Sequence, residues 1–327
     1  MNEVARGVFL VEIPIPVALR IVNCYVLKGS GGASILDTGF HTPDTEAAWT
    51  SALAELGLGF KDITKIVVTH FHPDHYGAAG WLQEQTGAQV FMPVTERPQV
   101  ERTWSSGQVA SRLTDFFSVH GLPPELGQSI ASVQELQRSR VQPQPKITWI
   151  AEGEPLEFGD RKWLPIWTPG HSEGLMVFWS ESDRLFLADD MILARITPNI
   201  SLWPGMTVNP LRQYLASLDK VNPLPAKLTL TGHRKLVEDL QLRVSELKEH
   251  HRNRLQIVKD AVADGNTDAW HVGLVVFGPH DDPHNVRFAL AETLAHLEYL
   301  VEEGVLLREQ EDAQQVRYRI AAASRRA

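Results

Sequence analysis

The 327-residue chain has a single cysteine, Cys24, which excludes an internal disulfide, an iron–sulfur cluster and a cysteine-based zinc knuckle. No apolar run approaches the roughly 18–20 residues that a transmembrane helix needs. The first seven residues lack the basic start and long apolar stretch of a signal peptide. Positive charge is also short: 31 Lys and Arg stand against 40 Asp and Glu, a net charge of −9. That balance argues against a surface built mainly to neutralise phosphates, although it leaves room for a local basic groove. Hydrophobic residues at 43% and charged residues at 22% exclude a disordered chain. The expectation is a soluble, cytoplasmic protein with one large domain and one small one.

Strands are predicted at 8–13, 23–28 and 34–36, where β-branched and aromatic residues cluster. A helix over 43–56 follows, with Thr42 as N-cap and Pro43 at the first helical position. Residues 63–69 form a near-continuous apolar run, the pattern of a strand buried on both faces. Helical spacing resumes at 80–86. The stretch 95–140 is polar, carries helical spacing at Trp104, Val109, Leu113, Phe116 and Phe117, and breaks at Gly121 to Pro124. It reads as a helical insertion whose apolar residues either line a substrate pocket or serve only helix packing. Strands at 162–167, 175–179 and 184–188, a helix at 211–218 and a strand at 227–230 complete the large domain, residues 1–236. A long amphipathic helix over 237–262 makes 237–265 a linker. Residues 266–327 differ in pattern, with helices at 267–277 and 285–303 preceding a hairpin of 305–308 with 316–320.

The chemical signal is Thr69-His70-Phe71-His72-Pro73-Asp74-His75, directly after the buried strand. Imidazole and carboxylate are the ligands of a hydrolytic Zn²⁺ or similar ion, and four of them in six residues let one loop serve two ions.

With these residues the sequence resembles the metallo-beta-lactamase superfamily. Five motifs occur in that family's order: Asp37 in Leu36-Asp37-Thr38-Gly39, the histidine-rich loop, His171 in Thr168-Pro169-Gly170-His171-Ser172, Asp189-Asp190 after a strand, and His233 in Thr231-Gly232-His233. The resemblance implies an α/β fold, an αββα sandwich, with two adjacent metal sites. His70, His72 and His171 would hold one ion, and Asp74, His75 and His233 the other. Asp190 would bridge them, Asp189 standing where many relatives have glycine and being the alternative bridge. Asp189 could also hydrogen-bond a ligand histidine. Asp74 and Asp37 are the candidate catalytic side chains. Asp74 would bind metal and handle a proton, while Asp37 would orient a ligand from behind. The cofactor expected is two metal ions per chain, zinc first, with Mn²⁺ or Fe²⁺ as alternatives.

Residues 289–300 resemble the winged helix appended to some hydrolases of this fold. Nucleic-acid binding would need cations there, yet from Asn266 onward six arginines and no lysine face ten acidic residues. Packing against the hydrolase, shaping its mouth or a homodimer contact, is the expectation. His296 and Cys24 read as structural, and His250-His251 as a solvated or interdomain face. The reading is a dinuclear hydrolase whose metal-bound hydroxide, from a water whose pKa the metal lowers toward about 7, attacks a small ester, thioester or lactone. A metal-dependent endoribonuclease is the first alternative and a metal-stabilised DNA-binding regulator the second. A diiron flavoprotein would need a carboxylate at His72 and a flavin domain. A one-iron sulfur dioxygenase shares the histidine motif.

Overall fold

The computed structural model describes residues 2–106, 109–207, 209–310 and 315–322. Seven strands form the first sheet in sequence order: β1 (Asn2–Ala5), β2 (Val8–Pro14), β3 (Ile21–Gly29), β4 (Gly32–Leu36), β5 (Ile63–Val67), β6 (Gln89–Pro93) and β7 (Ile147–Ile150). β1 to β4 pair antiparallel and β4 to β7 parallel. The second sheet runs in the order β12-β11-β10-β9-β8, from β8 (Leu156–Phe158), β9 (Arg161–Trp167), β10 (Met176–Ser180), β11 (Leu185–Asp189) and β12 (Leu228–Thr231). Its β11 and β12 pair in parallel.

Strand alternation sorts the core into layers. On β3, Tyr25 and Leu27 point between the sheets, where they meet Trp163, Phe178 and Leu187. Val22, Cys24 and Val26 point the other way, toward Trp49 of α1 (Pro43–Glu55). α2 (Pro73–Tyr76) and α3 (Ala79–Thr86) follow β5, and Leu82 of α3 joins that outer layer. Beyond the second sheet, α7 (Pro210–Val221) and α8 (Leu240–Ala263) cover Val177 and Phe186 with Tyr214, Leu218 and Leu247. Helices thus flank two stacked sheets.

Between β6 and β7 lie α4 (Arg97–Val100), a π-helical turn (Glu101–Ser105), α5 (Val109–Val119) and α6 (Pro124–Ser139). After α8 come α9 (Ala269–Phe277), α10 (Pro283–Glu302) and the antiparallel pair β13 (Leu306–Glu309) and β14 (Arg317–Ile320). One apolar cluster joins these two distant segments: Leu113, Phe117 and Ile130 of the insertion pack with Val258, Leu290, Leu294 and Tyr318. Arg325 and Arg326 lie outside the described residues.

The structure departs from the sequence reading at some ends. The β5 strand ends at Val67: Val68 N–H still bonds Phe91 O of β6, but Thr69 N–H is claimed by the Asp37 carboxylate. Helix α8 begins at Leu240, not 237: Val237 makes a two-bond bridge with Thr229, and Asp239 caps the helix through Leu242 N–H. His251 is fully buried against His296 and Tyr214, at the contact of α8 with α10 and α7.

Leu294 is fully buried where α10 meets the insertion. Leu294→Ala should cost about 2–5 kcal/mol, read as a lower denaturant midpoint at unchanged slope.

Candidate metal centre

Strand ends from both sheets deliver the site. Asp37 follows β4, the histidine-rich loop follows β5, Asp189 ends β11 with Asp190 directly after it, and His233 follows β12. His171 lies in the turn between β9 and β10. Asp37 and Asp189 both take left-handed backbone, φ 55° and 49°, a conformation uncommon for residues other than glycine and enriched at functional positions. Thr38 fastens the two halves of the first sheet's loops: its N–H and Oγ1 both donate to His75 O, at 2.9 and 2.7 Å. Trp49 Nε1 donates to Thr38 O at 2.8 Å, anchoring the loop to α1. Across the sandwich, Asn23 and Tyr25 of β3 donate to Thr231 O at 3.0 and 2.7 Å, which fixes the approach to His233. Gly232 must be glycine: a Cβ there would lie 2.2 Å from Asp190 Oδ1 and 2.6 Å from Asp189 Oδ1.

The histidines divide into two groups. In the first, His72 Nδ1 is 2.9 Å from His70 Nε2 and 2.9 Å from His171 Nε2. The other nitrogen of His70 faces Asp189 Oδ2 at 3.2 Å, and that of His171 faces Asn199 O at 2.9 Å. Those acceptors place the ring protons on the far side, so lone pairs of His70 and His171 converge on His72. In the second group, His233 Nε2 is 3.4 Å from Asp74 Oδ2, and His75 Nε2 is 3.8 Å from the same oxygen. Asp190 belongs to both: its Oδ2 is 3.3 Å from His171 Nε2 and 3.5 Å from His75 Nε2, and its Oδ1 is 3.5 Å from His233 Nε2. Asp189 instead sits behind the rings, accepting from Thr69 Oγ1 at 2.7 Å and facing His75 Nδ1 at 3.3 Å. Asp37 joins it there, with Oδ2 3.2 Å from His75 Nδ1 and Oδ1 accepting from Thr69 N–H at 2.9 Å. Neither Asp37 nor Asp189 lines the adjacent cavity; Asp74 and Asp190 do.

Electrostatics agree with a cation site. Burial lowers His70 to about 4, and with His171 beside it holds His72 well below its ordinary value, so both are neutral donors. Burial opposes charging His75 and His233, but Asp189, Asp190 and Asp74 raise the first well above its ordinary value, and Asp190 with Asp74 raises the second to about 10. Burial and the neighbouring Asp189 push Asp37 up to about 7. His75 Nε2, His233 Nε2 and Asp190 Oδ1 are buried and have no hydrogen-bond partner among the described residues. Buried polar atoms are normally satisfied. Orphaned donors of metal-ligating type, gathered within 4.8 Å in overlapping groups, fit metal ions.

A cavity of about 340 Å³ opens on this centre, reached by His72, Asp74, His171, Asp190 and His233. Its other walls are largely apolar and come from several segments, including Val17 and Leu19 before β3, Trp104 and Leu113 of the insertion, Leu193 and Trp203, and Phe288 of α10. Residues of the insertion therefore line the cavity as well as packing. Several contributors had no motif to reveal them. Glu96 is fully buried and accepts from Ser172 Oγ and Gly174 N–H, bracing the loop of His171. Glu292 of α10 accepts from Asn199 Nδ2 at 2.7 Å, so it steadies the residue whose carbonyl holds His171.

Comparison with known proteins agrees. A family model described as Metallo-beta-lactamase superfamily matches residues 17–233, and one described as Metallo-beta-lactamase-like, C-terminal domain matches 255–321. The crystal structure of a metallo-beta-lactamase family protein from Thermus thermophilus is 36% identical. It covers 97% of this chain and 100% of that one, with a TM-score of 0.87. The probable metallo-hydrolase YqjP of Bacillus subtilis (strain 168) is 24% identical over 92% of this chain and 94% of its own. An atrochrysone carboxyl ACP thioesterase of Aspergillus fumigatus is 22% identical over 80% of this chain and 69% of its own. Among the described residues no helix is long and apolar enough to cross a membrane.

The different faces of Asp189 and Asp190 separate their mutants. Asp190→Asn should remove bound metal stoichiometrically, as measured by elemental analysis after dialysis. Asp189→Asn should keep the ligand set and weaken affinity about 10–100-fold.

Proposed function

The chain belongs to the metallo-beta-lactamase superfamily of hydrolases, and from that premise we propose that it is a two-metal acyl hydrolase acting on a small ester or thioester. The observation that carries this reading is Asp190, one carboxylate within 3.3–3.5 Å of histidines from both donor groups at the floor of an apolar cavity. His70, His72 and His171 would hold one ion, Asp74, His75 and His233 the other, and Asp190 would contact both. Imidazole and carboxylate donors suit zinc, with Mn²⁺ or Fe²⁺ as competitors. When bound, such ions would polarise a carbonyl and lower the pKa of a bound water to about 7.

The chain's own residues supply orientation and exclusion of water. Asp74 touches the second group alone and, like Asp190, reaches the cavity. Burial opposes its charge, but His75 and His233 keep it ionised, so it can receive a proton from the attacking water. Asp37 and Asp189 are positioning residues: they hold His70 and His75 by their far nitrogens and touch nothing in the cavity. Phe71, Trp104, Trp203 and Phe288 give an acyl group an apolar surface. The thioesterase among the relatives supports the acyl class. The unit from residue 266, whose helices and hairpin follow winged-helix order, contributes Arg287 and Phe288 to the cavity wall, and in this reading it shapes the site's mouth.

A panel of thioester, lactone, β-lactam and phosphodiester substrates tests the proposal. Purified protein should turn over the thioester fastest, lose that activity to a chelator and regain it with Zn²⁺. Turnover of the phosphodiester alone would transfer the assignment to a nuclease.

A further inference from the structure

We propose that Arg287 forms an anion subsite in the cavity, selecting substrates that carry a carboxylate or phosphate on an otherwise apolar body. Arg287 lies on α10, is 6% exposed, and lines the same cavity as His72, Asp74 and His171. Its partners are neutral. Nη1 donates to Gln134 Oε1 at 3.1 Å and Nη2 to Gln137 Oε1 at 2.9 Å. Nη2 also lies 3.2 Å from His284 Nδ1, whose pKa burial and Arg287 itself lower to about 4. The Nε–H is buried and has no partner among the described residues. The faces of the guanidinium rest near Phe288 and Trp203, 4.8 and 5.6 Å from the ring centroids. Burial pushes its pKa down to about 10, which leaves it charged at neutral pH.

No carboxylate among the described residues lies in ion-pair range of this group. Asp282 acts on it only at a distance, its own carboxylate capping α10 through His284 N–H. Arg102, in the same cavity, shows the contrast: Glu173 lies 3.5 Å from it and Gly205 O accepts from it. A strut between α6 and α10 needs only donors for two amide carbonyls; it does not need a charge. Keeping a guanidinium buried without a counter-ion is costly unless a ligand supplies one. The planar fork matches a carboxylate or phosphate, and the low dielectric of the site strengthens the pairing. An apolar body along Trp203 and Phe288 would then join that anion to the reacting carbonyl. This last placement rests on the hydrolase reading; the anion subsite does not.

The test uses the full-length protein, as purified, with ¹⁵N-labelled arginine. The Nε–H resonance of Arg287 is assigned by its loss in Arg287→Lys, and hexanoate, hexyl phosphate and hexanamide are titrated in turn. Hexanoate or hexyl phosphate should move that resonance saturably, the stronger of the two identifying the anion, and hexanamide should leave it in place. Tryptophan fluorescence should show binding of the same anion weakened at least about tenfold in Arg287→Met. An unmoved resonance with both anions, an equal response to hexanamide, or wild-type affinity in Arg287→Met would each overturn the subsite. The wild-type titration decides alone should Arg287→Met fail to fold. Anion binding in a protein that hydrolyses nothing in the panel would remove the hydrolase reading and keep the subsite; hydrolysis without an anion response would do the reverse.

Discussion

Asp37 and Asp189 occupy the space behind the rings of His70 and His75, and the direction in which those two rings present their front nitrogens depends on what these carboxylates accept. An imidazole offers one nitrogen to a metal only when the other is committed elsewhere. His70 is committed to Asp189, His75 to Asp37 and Asp189, His171 to Asn199 O and His233 to Ile21 O. Burial first, and then the neighbouring Asp189 carboxylate, push the pKa of Asp37 up, so the pair is held together at an electrostatic cost. Their left-handed backbones and the shared Thr69 hydroxyl hold them there regardless.

The sandwich exists to bring such groups together. Parallel pairs β4–β5 and β11–β12 each end in ligand-bearing loops, one pair from each sheet, and the apolar layer between the sheets fixes their separation. The C-terminal helix α10 enters this arrangement twice. Glu292 supports His171 through Asn199, and a little over one turn earlier Arg287 and Phe288 form part of the cavity wall. The insertion and α10 share an apolar cluster, so two of the segments that wall the cavity are packed against each other.

The five motifs were legible because metal chemistry admits few residue types and strand ends are the natural place for them. The apolar run before His70 and the capped helix at Thr42 were legible for similar local reasons. Strands β6 and β7 escaped because short segments beside Pro93 and after the proline-rich 143–145 give little period-two signal. Glu96, Glu292 and Arg287 escaped because they look like ordinary polar positions of helical segments. Only tertiary packing buries them and gives them partners from distant segments. The Asp189–Asp190 assignment shows the middle case. Adjacent carboxylates cannot be ranked from spacing, but φ 49° at Asp189 turns one behind the rings and leaves the other in front.

Anomalous diffraction at the zinc edge, from crystals of the zinc-loaded protein, addresses the arrangement directly. The account predicts two peaks, one enclosed by His70, His72 and His171 and one by Asp74, His75 and His233, with Asp190 contacting both. A peak among Asp37, His75 and Asp189, or a lone peak that leaves Asp190 without a metal contact, would contradict it.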